Sequence, residues 1–160
     1  MYYFAHDWNS FVDSIFRAHL VIFERPYLKL QNQYYHNSHT FINFLLFTGL
    51  TYTDKTVEGW PQVTEENEIV KITGFTDRVY AQAPDVITFQ NAENVPQMKL
   101  TKSGLKDWVV WNPYETAAKM SDMHEDGHFE FVCIEATQTS DRIVLNPGQN
   151  WEASHSMEVL

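Results

Sequence analysis

The sequence predicts an all-β fold, an antiparallel β-sandwich preceded by one short helix. Two observations carry that prediction. From residue 39 onward, short apolar runs alternate with polar turns, and no regular strand–helix alternation of the α/β kind is present. Hydrophobic residues make up 44% and aromatics 15% of the 160 residues, enough sheet-forming side chains to fill a core.

The elements follow in chain order. Phe11, Val12, Ile15, Phe16, His19, Leu20 and Phe23 recur near helical spacing. Ser10 with Asp13 resembles a capping box and Pro26 supplies a stop, so residues 10–24 read as a helix. Residues 27–34 alternate like a strand, and residues 41–47 form a short apolar strand. Tyr52, Asp54, Lys55 and Thr56 read as a polar loop, and residues 69–73 alternate weakly. Residues 85–90 and 97–101 flank a polar loop, the pattern of a hairpin. Residues 108–111, 130–135 and 142–145 complete the strand series, and Pro147-Gly148 marks a turn. Residues 115–126 read mainly as a loop with at most one helical turn.

Charge and cysteine usage narrow the function classes. A formal net charge of -10 and four arginines (Arg17, Arg25, Arg78, Arg142) leave no basic face for a nucleic-acid partner. The longest apolar run, residues 41–47, is too short to span a bilayer, so no membrane partner is expected. Cys133 is the sole cysteine, which excludes an internal disulfide framework and a Cys-rich zinc site. It reads as an inert buried thiol. The first seven residues carry no basic n-region, so no signal peptide is expected and a cytoplasmic setting is the default.

Three residues are candidates for chemistry. Period two puts Cys133 and Glu135 on one strand face, where apolar neighbours partly desolvate the carboxylate and strengthen it as a base. Its ordinary reading is an exposed Glu at a strand end. His39, in His36-Asn37-Ser38-His39-Thr40-Phe41, carries an imidazole suited to proton delivery near neutral pH, or is a surface histidine in a polar turn. Asp77, in Thr76-Asp77-Arg78-Val79-Tyr80, can accept hydrogen bonds from vicinal sugar hydroxyls, or is a turn residue paired with Arg78. His124-Glu125-Asp126-Gly127-His128 matches a zinc-protease pattern in letters only. Asp126-Gly127 is a turn signal, and the pattern needs a continuous helix.

Taken together, the motifs resemble the glucose-6-phosphate 1-epimerases, or hexose-6-phosphate mutarotases, of the aldose 1-epimerase group. Ser38-His39-Thr40-Phe41, Gly49-Leu50-Thr51-Tyr52-Thr53-Asp54-Lys55 and Thr76-Asp77-Arg78-Val79-Tyr80 stand in the family's order. Val109-Val110-Trp111-Asn112-Pro113-Tyr114, the most specific signature, comes next. Lys119-Met120-Ser121-Asp122, Val132-Cys133-Ile134-Glu135-Ala136 and Leu145-Asn146-Pro147-Gly148-Gln149-Asn150-Trp151 close the series.

The resemblance implies a sandwich of the galactose-mutarotase type with a substrate groove on one sheet. Glu135 takes the position of the base at the C1 hydroxyl, His39 that of the acid at the ring oxygen, and Asp77 that of a sugar ligand. The implied partner is a small-molecule sugar phosphate, with no cofactor and no metal; oligomeric state is left open. Residues 31–160 correspond to the C-terminal part of the family's domain and residues 1–30 are unassigned. The family's N-terminal half, with a His-Gly-Phe-Ala-Arg motif, has no counterpart. Ser38 replaces an apolar residue, Phe41 replaces Tyr, and the segment from His39 to Gly49 is short. Weak or absent activity of this chain alone is therefore expected. The alternative is a non-catalytic carbohydrate-binding sandwich module.

Overall fold

The structure, a computed structural model, describes residues 17–23, 43–45, 47–90, 95–121, 128 and 131–160. In chain order the described strands are β1 (Arg17–Phe23), β2 (Asn43–Leu45), β3 (Thr51–Asp54), β4 (Gln62–Thr64), β5 (Val70–Lys71) and β6 (Thr76–Tyr80). They continue with β7 (Val86–Gln90), β8 (Pro96–Ser103), β9 (Asp107–Asn112), β10 (Phe131–Thr137) and β11 (Ser154–Val159). A 3-10 helix, Tyr114–Lys119, follows β9. Among the described residues, no helix is long and apolar enough to cross a membrane.

Two antiparallel sheets form, ordered β1-β10-β9-β6-β3-β4 and β11-β8-β7-β2-β5. Their facing side chains share one core. The first sheet contributes Tyr52, Tyr80, Trp108, Val110, Val132, Ile134 and Ala136; the second contributes Val70, Ile87, Phe89 and Leu100. Phe47, just past β2, stacks on Tyr80 with ring centroids 4.2 Å apart. Alternate burial of this kind is what a face-to-face sandwich requires, and the expected all-β fold class stands. At one end of the core, fully buried Lys102 donates to the carbonyls of Ala83 (2.9 Å) and Leu105 (3.0 Å) and to Asp85 (3.2 Å).

The β7–β8 hairpin, β9 and β10 fall where the sequence puts strands, and residues 41–47 and 69–73 supply β2 and β5. The expected helix over residues 10–24 does not form in its described part. Residues 17–23 are β1, paired along its length with β10 from Arg17↔Thr137 to Phe23↔Phe131. The apolar spacing is close to helical, but Leu20-Val21-Ile22-Phe23 is a run of strand formers beside an available edge. Seven registered residues outweigh a weak local helix preference. The rest of that range and residues 27–34 lie outside the described residues.

Two further expectations change. The supposed loop at Tyr52–Asp54 is β3, with Tyr52 buried in the core. The turn follows it, where Asp54 Oδ1 accepts from the Thr56 amide (2.9 Å) and hydroxyl (2.6 Å). Residues 142–145 form no strand: Ile143, Val144 and Leu145 are exposed, and the strand after that segment is β11. The Pro147-Gly148 turn is present, closed by the Gln149 amide on the Asn146 carbonyl at 3.0 Å.

Gly104, in the tight turn between β8 and β9, has φ +72, and a methyl group there would collide with the carbonyl oxygen of Glu152. The Trp151 indole donates to the Gly104 carbonyl at 3.0 Å, which draws that segment close. The left-handed conformation and the collision together set the expected cost of Gly104→Ala at about 3 kcal/mol. Urea unfolding checks this: an unchanged midpoint would show that the Glu152–Trp151 segment does not press on the turn.

Candidate active site on the six-stranded sheet

Strand alternation assigns faces. In β10, Val132, Ile134 and Ala136 enter the core, so Cys133 and Glu135 lie on the opposite, outer face. In β9, Trp108 and Val110 enter the core, leaving Val109 and Trp111 outward. In β6, Tyr80 enters the core, and Asp77 and Val79 share the outer face. The register then draws two rows across that face: Asp77–Trp111–Cys133 and, beside it, Val79–Val109–Glu135.

Asp77 and Glu135 therefore share one face, separated by the intervening β9. Strand geometry puts their backbones about 10 Å apart across the strands and about 7 Å apart along them. Glu135 is 6% exposed, so the exposed strand-end reading is wrong. The strand continues to Thr137, and its outer-face neighbours Cys133 and Thr137 are buried as well. A strand buried on both faces reads as a nearly continuous apolar run, as this one does. The Cys133 thiol donates to Glu135 Oε1 at 3.3 Å.

The inner face of β6 fixes Asp77 from behind. Arg78 does not pair with Asp77, the ordinary alternative suggested by adjacency. Its guanidinium reaches Glu65 Oε2 at 3.2 Å and lies 4.7 Å from the centre of the Tyr52 ring. Glu65, 2% exposed, also accepts from the Tyr80 hydroxyl (2.9 Å) and the Asn67 side-chain amide (2.7 Å). Burial pushes the Tyr80 phenol up, well above its usual range, so it remains a donor. The Asp77 carbonyl accepts from the Lys55 amide at 2.9 Å, which ties the β3–β4 hairpin to this strand.

Asn112 explains the Trp-Asn-Pro-Tyr signature. Buried to 1% exposure, it accepts from the Tyr114 amide (2.8 Å) and donates to the His128 carbonyl (2.9 Å). Pro113 begins the 3-10 helix, with its carbonyl taking the Thr116 amide and hydroxyl. The motif shapes the chain at the end of the sheet where Asp77, Trp111 and Cys133 stand.

His39 and His124 lie outside the described residues. The His128 ring meets Tyr114 edge-on with centroids 5.2 Å apart. Among the described residues, no three potential ligands gather as a metal site. A surface hollow of about 290 Å³, lined by residues such as Lys106, Asp141, Arg142 and Trp151, lies near the other end of the sheet and includes neither Asp77 nor Glu135. The carboxylates, not the hollow, mark the candidate site, because the register places two of the three residues singled out from the sequence, Asp77 and Glu135, on one face in adjacent rows. Sequence reasoning missed Trp111 as the bridge between Asp77 and Cys133, and Glu65 as the partner of Arg78. Strand parity could have found the first; no local signal pointed to the second.

A family model described as aldose 1-epimerase matches residues 25–158. A protein of Cenchrus ciliaris named "Putative glucose-6-phosphate 1-epimerase" is 34% identical over 89 residues, 55% of this chain and 27% of the relative. The solved "putative mutarotase (YeaD)" from Salmonella typhimurium superposes with a TM-score of 0.55 at 23% identity, over 62% of this chain and 33% of the other. The solved protein HI1317 superposes with a TM-score of 0.57 at 16% identity, over 73% of this chain and 40% of the other. The chain thus spans 27% to 40% of the length of these relatives. The two structural likenesses establish the sandwich.

Proposed function

The chain belongs to the aldose 1-epimerase family, and on that premise we propose that it carries the acid–base site of a mutarotase exchanging the α and β anomers of a hexose 6-phosphate. Glucose 6-phosphate is the proposed substrate. The observation that carries the reading is Glu135, a buried carboxylate on the same sheet face as Asp77. A carboxylate held interior to a strand serves packing poorly and proton transfer well.

In the proposed reaction Glu135 takes the proton of the C1 hydroxyl. The C1–O5 bond breaks as the C1–O1 double bond forms, and His39 gives a proton to O5. Rotation about C1–C2 presents the other face of the aldehyde, and ring closure returns both protons with the roles reversed. Asp77 holds sugar hydroxyls across the Trp111 row. Two proton-transfer groups suffice, so no cofactor or metal enters. The role of His39 rests on its motif. The phosphate preference is supported by the motif series and by the name of the Cenchrus relative. A phosphorylated sugar and a lone thiol both fit a cytoplasmic setting.

Exchange NMR between the two C1 resonances of glucose 6-phosphate tests the proposal. Exchange above the uncatalysed rate that depends on Glu135 supports it. Asp77→Asn is expected to raise KM about 10- to 100-fold with a smaller change in kcat, the loss of a charge-assisted hydrogen bond. Sugar-phosphate binding without any Glu135-dependent exchange would instead identify a non-catalytic carbohydrate-binding module.

A further inference from the structure

We propose that Cys133 is a positioning residue for Glu135: its thiol proton holds the carboxylate in the row that contains Asp77. The proposal rests on the assignment of Glu135 as the base. The two residues are i and i+2 on one strand, so their backbones stand about 7 Å apart. A Sγ–Oε1 separation of 3.3 Å therefore requires the Glu135 side chain to lean along the strand toward Cys133. Cys133 is registered with Trp111, and Trp111 with Asp77. Leaning that way moves the carboxylate out of its own row, Val79–Val109–Glu135, and over the row of the sugar ligand. The base and the sugar ligand then face each other across a single residue, Trp111.

A thiol is a weak donor in water. Here the acceptor is a carboxylate, and both residues are buried, at 5% and 6% exposure, where a hydrogen bond is electrostatically stronger. The contact needs the protonated thiol, since a thiolate would repel the carboxylate. The apolar run around Cys133 gives it the look of an inert core residue. Its face of the strand is instead the face of the base.

The chain has one cysteine, so it has one S–H stretching band, in a region of the infrared spectrum clear of other protein bands. In the wild-type chain that band is expected at lower frequency than in Glu135→Gln, where the acceptor is a neutral amide. Equal frequencies in the two would overturn the proposal whether or not the chain turns over sugar. The second readout is anomer exchange. Cys133→Ala is expected to lower kcat about tenfold with KM nearly constant, and Cys133→Ser, which keeps a donor, to restore most of the loss. Circular dichroism confirms that both variants fold. A wild-type kcat in Cys133→Ala overturns the positioning role. A wild-type chain with no exchange overturns the mutarotase assignment instead, and the infrared band alone then decides whether Cys133 holds Glu135.

Discussion

Glu135→Gln is expected to lower the catalysed anomer-exchange rate about 10²- to 10⁴-fold, the usual contribution of a positioned general base. The amide preserves the volume of the side chain and can still meet the Cys133 thiol, but it cannot accept the C1 hydroxyl proton. KM should change little, because Asp77, the proposed sugar ligand, is untouched. Glu135→Asp separates chemistry from placement: it keeps the carboxylate and withdraws it by about 1 Å, which can cost on the order of 10²-fold when reacting atoms are misplaced. Both variants should unfold at nearly the wild-type urea concentration. Anomer exchange in Glu135→Gln equal to wild type would remove Glu135 from the reaction and leave the sheet face without a base.

How far the sequence anticipates this face depends on how each strand shares its polar groups. β9 and β10 are legible because both of their faces are buried and their residues are nearly all apolar. β6 is not. Thr76-Asp77-Arg78-Val79-Tyr80 carries a polar or charged group on each face, since Arg78 points inward to Glu65 and Asp77 outward. An alternation test sees no pattern there, although the strand is central. β3 is hidden in the same way, with Tyr52 alone marking its inner face. β11 escapes notice because its residues are exposed or only half-buried. Residues 142–145 mislead in the opposite sense: their branched apolar side chains suggest a strand that has no partner, and Val144 is 78% exposed. Glu135 and Asp77 are therefore recognisable one at a time. Their common face follows only from the register Asp77–Trp111–Cys133, which is a tertiary fact. The same holds for β1, whose helical spacing yields to pairing with β10.

Asp107→Ala is expected to destabilise the fold strongly, by releasing two chain segments from one buried carboxylate. Asp107 opens β9, is fully buried, and accepts five hydrogen bonds. Oδ1 takes the Gln82 amide (3.1 Å) and the Ser140 hydroxyl (2.6 Å). Oδ2 takes the Thr139 amide (2.7 Å), the Thr139 hydroxyl (3.0 Å) and the Ser140 amide (2.6 Å). One carboxylate thus fastens the turn after β6 and the chain leaving β10, whose Thr137 is registered with Asp107 itself. Alanine leaves three backbone N–H groups without their acceptor, and the expected cost is about 3–5 kcal/mol. Burial opposes ionisation of Asp107, but the donors from Ser140, Thr139 and Gln82 outweigh it and hold the carboxyl below the usual carboxylate range. The sign of the pH dependence follows. A carboxyl near pKa 3.9 when unfolded and lower when folded contributes its full stabilisation above about pH 5. That contribution is lost as pH falls through the unfolded value and then the folded one. Urea midpoints of wild type and Asp107→Ala should therefore differ most at pH 7 and converge toward pH 3. Parallel loss of stability in the two proteins between pH 5 and pH 3 would show that some other carboxylate governs acid unfolding and that folding does not lower the pKa of Asp107.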